Sequence, residues 1–284
     1  MKKSLQAYIY LTPLLIGSLV FTVLPFFLVV RYSTVAGVGS NIRFVGLKNY
    51  QVILTSETFA LAFGNTLKFL AVSLPCIMVL SYAIALLMKS YSEKHKVLRS
   101  VFLFPYLMPV VGTVTVIDMI FSASGLLNQM ISFFRLPVER WLNSPSAFWI
   151  VLLLYLWKNT GYSVLLLVAG LVTIPENQYE SAEIDGATGF QKFRYITMPQ
   201  MWYSVFLAVI FSLINAFKCF REIFLIGGEH PHDSVYMLQH YLSNSFSKLN
   251  YDNLSVASVL LLLVIVSLFS VFYVYVNRKE AFRE

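Results

Sequence analysis

Charged residues are scarce in this chain of 284 residues. Asp, Glu, Lys and Arg make up 12% of it, whereas soluble domains carry about 25%. Hydrophobic residues make up 58%. This composition excludes an ordinary soluble domain and indicates an integral membrane protein. We assign the net charge of +7 to cytoplasmic loops, as is usual in membrane proteins, and expect no nucleic-acid partner.

Cysteine is scarce as well. The chain has two, Cys76 and Cys219, and both lie inside apolar runs. Two such residues do not form a disulfide framework. We therefore expect two packed thiols.

Motifs that carry enzyme chemistry are also missing. No Gly-x-x-x-x-Gly-Lys-Ser/Thr segment occurs, so the chain has no recognisable ATP site. No serine has the arrangement of a nucleophile with its base, and we predict no catalytic residue. His230, His232, His240 and Asp233 share one loop. The pair His230-x-His232 could bind a metal, but the spacing of the other residues does not supply a full set of four ligands. We therefore predict an exposed polar loop and no metal site.

Long apolar runs dominate what is present. Each of the six runs reaches the roughly 20 residues needed to cross a bilayer. We predict membrane helices at about 8–30, 63–88, 98–121, 148–171, 202–226 and 255–276. The first run is too long for a signal peptide, and Pro13 and Pro25 interrupt it. The prediction is an all-α membrane protein in which residues 1–284 form a single transmembrane domain.

Basic residues decide the orientation. With the N-terminus inside, the cytoplasmic side would hold Lys2, Lys3, Lys89, Lys94, Lys96, Arg99, Lys192, Arg194, Arg278, Lys279 and Arg283. The outer side would hold Arg31, Arg43, Lys48, Arg135, Arg140 and Lys248. The excess of the first set predicts that both termini are cytoplasmic. The protein is then a multi-pass protein of the cell (plasma or inner) membrane.

One polar stretch, residues 176–199, lies between apolar runs on the predicted cytoplasmic side. Pro175 should end the preceding helix, a short helix should span 176–184, and Gly186 should allow a turn that a Cβ would obstruct. A second short helix should reach Pro199. The spaced residues that form the pattern are Glu180, Ala182, Asp185, Gly186, Ala187, Ile196 and Pro199.

This pattern resembles the cytoplasmic EAA motif of permease subunits of binding-protein-dependent ABC importers, with a MetI-like fold. The resemblance implies that residues 176–199 couple the permease to an ATPase, and we call them the coupling loop. Further segments resemble the carbohydrate-uptake branch, of the MalF/UgpA type. They are Gly46-Leu47-x-Asn49-Tyr50, Asn65-Thr66-Leu67, Pro105-Tyr106-x-x-Pro109, Trp157-Lys158-Asn159-x-Gly161-Tyr162 and Ala169-Gly170-Leu171-x-x-Ile174-Pro175.

The resemblance implies a function and partners. The chain would move a sugar or oligosaccharide into the cytoplasm as one half of a permease heterodimer with a second permease subunit. Two nucleotide-binding ATPase subunits would carry the ATP and Mg, so this chain would bind no cofactor. An extracytoplasmic substrate-binding protein would deliver the sugar, and membrane lipid would surround the helices.

Polar residues within the membrane helices are the candidates for the substrate path. Tyr155, Lys158, Asn159 and Tyr162 are spaced by three or four and share a helix face, and Ser212 and Asn215 share a face on the next helix. In similar maltose-type permeases these two helices hold the sugar. The resemblance therefore implies the candidates Tyr155, Lys158, Asn159, Tyr162, Ser212 and Asn215; the other reading is helix–helix packing.

Two other functions remain open at this point. An ion-coupled secondary transporter would use Asp118 and the buried lysines, although no internal repeat supports it. A non-transporting membrane scaffold is the other. The membrane helices hold Lys68, Lys158, Lys218 and Arg221 against Asp118 and Glu222, a surplus of +2. This surplus suggests an acidic sugar or sugar phosphate as cargo, unless the lysines reach the outer interface or pair with carboxylates of the partner permease.

Overall fold

The computed structural model describes residues 2–37, 42–91 and 96–280. Lys94 and Arg283, which the charge argument used, lie outside these residues. Within the described part, six helical stretches are long and apolar enough to cross a membrane: Tyr10–Tyr32, Glu57–Met88, Val110–Phe133, Ala147–Val172, Trp202–Gly227 and Tyr251–Val271. The prediction of an all-α protein with six membrane helices is confirmed.

The first of two compact units comprises Met1–Ala60 and Tyr241–Val266. Its first elements are α1 (Lys2–Ser18), a π-helical turn (Leu19–Val23), α2 (Leu24–Tyr32), β1 (Val35–Ala36), β2 (Arg43–Phe44) and α3 (Lys48–Leu54). The π turn ends directly before Leu24 and Pro25. Pro25 has no N–H to donate to the preceding turn, and a wider turn accommodates that missing bond.

The Gly46-Leu47-x-Asn49-Tyr50 segment has a structural role in this unit. The Asn49 side-chain amide donates to the carbonyl of Ser33 at 3.2 Å and to that of Val35 at 2.8 Å. The Tyr50 hydroxyl donates to Ser33 Oγ at 2.9 Å. These bonds hold α3 against the antiparallel β1–β2 pair, and Gly46 provides the turn between them with a φ of +59°.

The second unit comprises Leu61–His240 and Ser267–Glu284, and three helices (α4, α14 and α15) have residues in both units. The remaining helices are α4 (Glu57–Tyr91), α5 (Lys96–Leu107), α6 (Val110–Phe121), α7 (Leu126–Phe133), α8 (Ala147–Val172), α9 (Glu176–Ile184), α10 (Gly189–Lys192), α11 (Met198–Gln200), α12 (Trp202–Lys218), α13 (Phe220–Gly227), α14 (Leu238–Ser247) and α15 (Tyr251–Glu280).

The prediction of one continuous third helix over residues 98–121 is wrong. This stretch divides into α5 and α6 at Met108 and Pro109. Pro109 lacks an N–H and disfavours helical backbone at the residue before it, and it adopts an extended ψ of 147° at the start of α6. The span long enough to cross the membrane runs instead from Val110 to Phe133.

The α8 helix is the core of the second unit. Most of its residues are buried, as expected of a helix surrounded by protein, and it packs against α5 and α12. Leu154, Tyr155 and Leu167 are among its fully buried side chains. A Cβ on Gly161 would collide with the backbone carbonyl of Phe102 in α5. The two helices therefore touch backbone to backbone at this point.

Candidate functional site

The first half of the coupling loop is a short helix with well-defined ends. Pro175 precedes α9, whose bounds match the predicted 176–184. At its C-terminus, the amide of Gly186 donates to the carbonyl of Glu183 at 3.0 Å and the amide of Ala187 to that of Ala182 at 2.8 Å. This pair of bonds is a Schellman motif, and Gly186 provides its left-handed residue with a φ of +77°. A Cβ on Gly186 would meet no other residue within 4 Å, so it would obstruct the turn through its own backbone at this φ, as the prediction of a glycine-dependent turn requires.

The second half of the loop begins at a capping box. The Thr188 side chain accepts from the amide of Gln191 at 3.3 Å, and the Gln191 side chain accepts from the amide of Thr188 at 2.7 Å. A π-helical turn (Phe193–Thr197) and α11 follow, so the predicted single second helix is interrupted. As with Pro25, the π turn stands just before a proline, Pro199, which lacks the N–H that an α-helical turn would use.

Polar contacts join the two halves of the loop. Lys192 forms an ion pair with Glu183, and the hydroxyls of Tyr179 and Thr197 lie 2.9 Å apart. Ile196 packs on a buried cluster of this unit together with Tyr179. The loop is consequently a folded knob on the end of the helices.

The predicted loop residues divide by exposure. Glu180, Asp185 and Gly186 are exposed, whereas Ala182, Ala187, Ile196 and Pro199 are partly buried. Three apolar residues that the pattern did not single out are also exposed: Ile184 at 88%, Phe190 at 74% and Tyr195 at 74%. A folded knob that exposes large apolar side chains is typical of a surface that contacts another protein.

A pocket of about 160 Å³ lies where α5, α6, α8, α12 and α13 meet. Four of the six predicted path residues line it: Tyr155, Lys158, Asn159 and Asn215. Other residues complete the wall, and sequence reasoning did not place them in the path: Tyr106, Val110, Leu154, Lys218, Cys219, Arg221 and Glu222.

Tyr162 and Ser212 do not line the pocket. Tyr162 stacks on the ring of Tyr106, with centroids 4.7 Å apart, and so supports a pocket residue. Ser212 is buried, its Oγ lies 3.1 Å from that of Ser163, and its carbonyl accepts from the Tyr155 hydroxyl at 2.8 Å. Both residues join α8 to its neighbours.

An ion pair stands in the pocket wall. Lys158 Nζ lies 2.6 Å from Glu222 Oε1, and the side chains are 14% and 6% exposed. The other carboxylate oxygen, Glu222 Oε2, is buried with no protein partner, as is Asn215 Nδ2. Buried polar atoms almost always have a partner, so one free acceptor and one free donor in a single pocket indicate a place for a ligand.

The secondary-transporter alternative relied on buried lysines, but two of the three membrane lysines are exposed on this chain. Lys68 and Lys218 are exposed on this chain, as is Asp118. The Lys68 ammonium lies 4.5 Å from the centroid of the Phe148 ring, a favourable cation–π geometry. Lys158 alone of the three is largely buried, and Glu222 neutralises it.

The two cysteines also differ in exposure. Cys219 is buried but Cys76 is exposed, so one of the two expected packed thiols is at the surface.

The histidine loop varies in exposure along its length, from exposed His230 to buried His240. His240 is buried, contrary to the prediction of an exposed loop, and its Nδ1 accepts from the amide of Met237 at 3.2 Å. The His240 ring meets that of Phe220 edge to face. Burial and, to a lesser degree, the nearby His230 lower the pKa of His240 to about 4, so this ring is neutral at pH 7. Among the described residues, no three His, Cys, Asp or Glu side chains are placed to hold a metal ion.

Comparison with known proteins identifies the family. Residues 77–281 match the family described as "Binding-protein-dependent transport system inner membrane component". The chain belongs to this family. It is therefore a multi-pass permease component of a binding-protein-dependent importer in the inner membrane, and the predicted resemblance is confirmed.

Similar proteins align over most of their length. The trehalose/maltose transport system permease protein MalF of Thermococcus litoralis is 30% identical over 276 residues, 95% of this chain and 93% of the relative. The arabinooligosaccharides transport system permease protein AraP of Halalkalibacterium halodurans is 29% identical over 222 residues, 77% of this chain and 70% of the relative.

Two solved structures share the fold. A bacterial ABC transporter involved in the import of the acidic polysaccharide alginate has a chain that matches 98% of this one, with a TM-score of 0.85 and 22% identity; 96% of that chain is covered. The alginate transporter in complex with an alginate pentasaccharide-bound periplasmic protein matches with a TM-score of 0.77 at 22% identity, covering 98% of this chain and 93% of the other.

Proposed function

We propose that this chain carries a carbohydrate across the inner membrane as one permease subunit of an ABC importer, driven by ATP hydrolysis on partner subunits. The single observation that best supports coupling to ATP hydrolysis is the structure of the coupling loop. It is a knob fixed by a Schellman motif and a capping box, with Ile184, Phe190 and Tyr195 exposed on it. An apolar surface of this kind fits a groove on a nucleotide-binding subunit.

The carbohydrate cargo rests on the relatives and on the chemistry of the pocket. The relatives named above are transport proteins for trehalose and maltose and for arabinooligosaccharides. The pocket wall combines the ring of Tyr106 with the amides of Asn159 and Asn215. An aromatic face suits the apolar C–H face of a sugar, and the amides suit its hydroxyl groups. In this proposal Tyr162 and Ser212 hold the wall residues in place.

The size of the pocket supports a second permease subunit. Pockets for small molecules usually measure about 300–1,000 Å³, and this one measures about 160 Å³. One chain therefore offers part of a wall, and a second permease would complete the path. We also propose two ATPase subunits that bind ATP and Mg, and an extracytoplasmic binding protein that delivers the sugar. The family description already names the dependence on a binding protein.

The orientation follows from the same proposal. An ATPase binds on the cytoplasmic side, so the coupling loop is cytoplasmic, and the four membrane crossings before it and the two after it place both termini on that side as well. The basic residues of the sequence favour the same orientation.

Replacing the left-handed glycine tests the coupling role. Gly186→Ala forces a residue with a Cβ into a φ of +77°, at a cost of about 1–2 kcal/mol. We expect binding-protein-stimulated ATPase activity and sugar transport of the reconstituted complex to fall by roughly 5- to 30-fold. Gly186→Asn should recover part of the activity, because asparagine tolerates this conformation.

Gly189→Ala is the matched control. Gly189 is in the same loop, with open space around it and no left-handed φ, so its replacement should change neither activity. If Gly186→Ala transports and hydrolyses ATP as the unmodified complex does, the loop does not couple the permease to the ATPase.

A further inference from the structure

Two cations line the pocket without a counter-ion. Lys218 and Arg221 belong to the same wall as Lys158 and Glu222. Glu222 already forms an ion pair with Lys158. In the part of the chain that the structure describes, the ion pairs are Lys158–Glu222 and Lys192–Glu183, and neither involves Lys218 or Arg221.

The charge of the pocket follows by counting its lining residues. Three cations (Lys158, Lys218 and Arg221) and one anion (Glu222) leave a net charge of +2. Asp118, which the count over the whole membrane region included, does not line the pocket. The surplus therefore does not come from Lys158, which is neutralised, but from the exposed pair Lys218 and Arg221. Concave sites with one sign of charge concentrate ligands of the opposite sign.

The buried end of the pocket provides a different kind of contact. Asn215 and Glu222 are 8% and 5% exposed, and each presents an unpartnered polar atom: the donor Asn215 Nδ2 and the acceptor Glu222 Oε2. A hydroxyl group both accepts and donates a hydrogen bond, so it satisfies these two atoms together. A carboxylate or phosphate accepts only, and Glu222 would repel it.

We propose that the pocket selects an acidic sugar, with a hydroxyl group at Asn215 and Glu222 and an anionic group at Lys218 and Arg221. This inference rests on the proposed carbohydrate import and adds the charge of the cargo to it. Arg221 suits a planar carboxylate, because its guanidinium donates two parallel hydrogen bonds. A neutral sugar gives these two cations no partner.

The test is uptake of matched neutral and acidic oligosaccharides by cells that contain the complete importer. The probes are labelled galactobiose and digalacturonate, labelled cellobiose and its diuronate, and maltose and trehalose as further neutral sugars. We expect uptake of an acidic member, and Lys218→Gln and Arg221→Gln should each reduce it about tenfold, the factor expected for one charge-assisted hydrogen bond. Lys218→Arg, which keeps the charge, should retain most of the uptake, whereas Arg221→Lys keeps the charge but loses the paired hydrogen bonds and should retain only part of it.

Lys68→Gln is the control for loss of a cation. Lys68 is exposed on α4 and lies over Phe148 outside the pocket, so uptake should not change. The amount of each variant in the purified complex is measured as well, since a loss of assembly would explain a loss of uptake.

The possible outcomes separate the two proposals. Uptake of neutral sugars alone, unaffected by Lys218→Gln and Arg221→Gln, overturns the acidic cargo and leaves carbohydrate import intact. Loss of the partner permease from the complex in these two variants also overturns it, because the cations then pair with carboxylates of the partner. Uptake of no sugar of either kind overturns both proposals.

Discussion

At the residue scale, the Lys158–Glu222 pair is the contact with the largest expected energetic effect. Removing one partner of a buried ion pair leaves an uncompensated charge and costs about 3–5 kcal/mol, whereas replacing both partners with apolar residues is often nearly neutral. We expect Glu222→Ala to lower the melting temperature of the detergent-purified complex strongly. The double variant Lys158→Met/Glu222→Leu should restore most of that loss.

The double-mutant comparison decides whether charge or packing is responsible. If the double variant is as unstable as Glu222→Ala, the loss is one of side-chain volume and the ion pair contributes nothing specific. Both side chains are at least 86% buried by their exposures of 14% and 6%, so solvent screening does not remove the expected effect.

Sequence reasoning placed four of the pocket's lining residues in the substrate path but did not predict the pairing of Lys158 with Glu222. The 3.6-residue period placed Tyr155, Lys158 and Asn159 on one face, and all three line the pocket. Lys158 and Glu222 are 64 positions apart, on α8 and α13, and no local pattern relates them. Tyr162 follows at the same helical spacing but does not line the pocket, because the ring of Tyr106 stacks on it.

At the element scale, the crossing of α5 and α8 depends on Gly161. A Cβ there would collide with the carbonyl of Phe102, which belongs to the backbone and cannot rotate away. The helices would have to separate, at a cost typical of overpacking, about 1–3 kcal/mol. We expect Gly161→Ala to lower the melting temperature of the purified complex and to reduce transport.

Gly64→Ala provides the control on another membrane helix. A Cβ on Gly64, within α4, would meet nothing within 4 Å. Because alanine is the better helix former by roughly 0.5–1 kcal/mol, this variant should be as stable as the unmodified protein or slightly more so. Equal loss of stability in both variants would contradict the role of the close α5–α8 contact.

The elements were predictable where one local signal dominates. Pro175 and Gly186 delimit α9, and its bounds agree with the prediction. The run 98–121 was misjudged because hydropathy stays high through it, whereas Pro109 breaks the backbone. Hydropathy reports the solvent around a segment, and the hydrogen bonds that proline removes decide whether the helix continues.

At the scale of the whole molecule, the orientation in the membrane is the prediction with the widest consequence. In a background of Cys76→Ala and Cys219→Ala, we expect Ser247→Cys to react with a membrane-impermeant maleimide added outside intact cells. Ser181→Cys, in the coupling loop, should react only in inverted vesicles. Both serines are exposed in this chain. The reverse pattern would place the coupling loop outside and remove it from any cytoplasmic ATPase.

The source of energy distinguishes an ATP-driven importer from an ion-coupled transporter. The latter would use Asp118 and buried lysines, yet Asp118 and Lys68 are exposed and Lys158 is neutralised by Glu222. A ligand shifts a conformational equilibrium only by its preference between states. In the proposed importer, ATP provides that preference through the coupling loop.

The most direct measurement is sugar uptake by proteoliposomes that contain the complete complex. The account predicts accumulation of a labelled oligosaccharide only with binding protein on the outer side and ATP on the side of the coupling loop, and no effect of collapsing ion gradients. Accumulation without ATP, driven by a proton or sodium gradient, would contradict it.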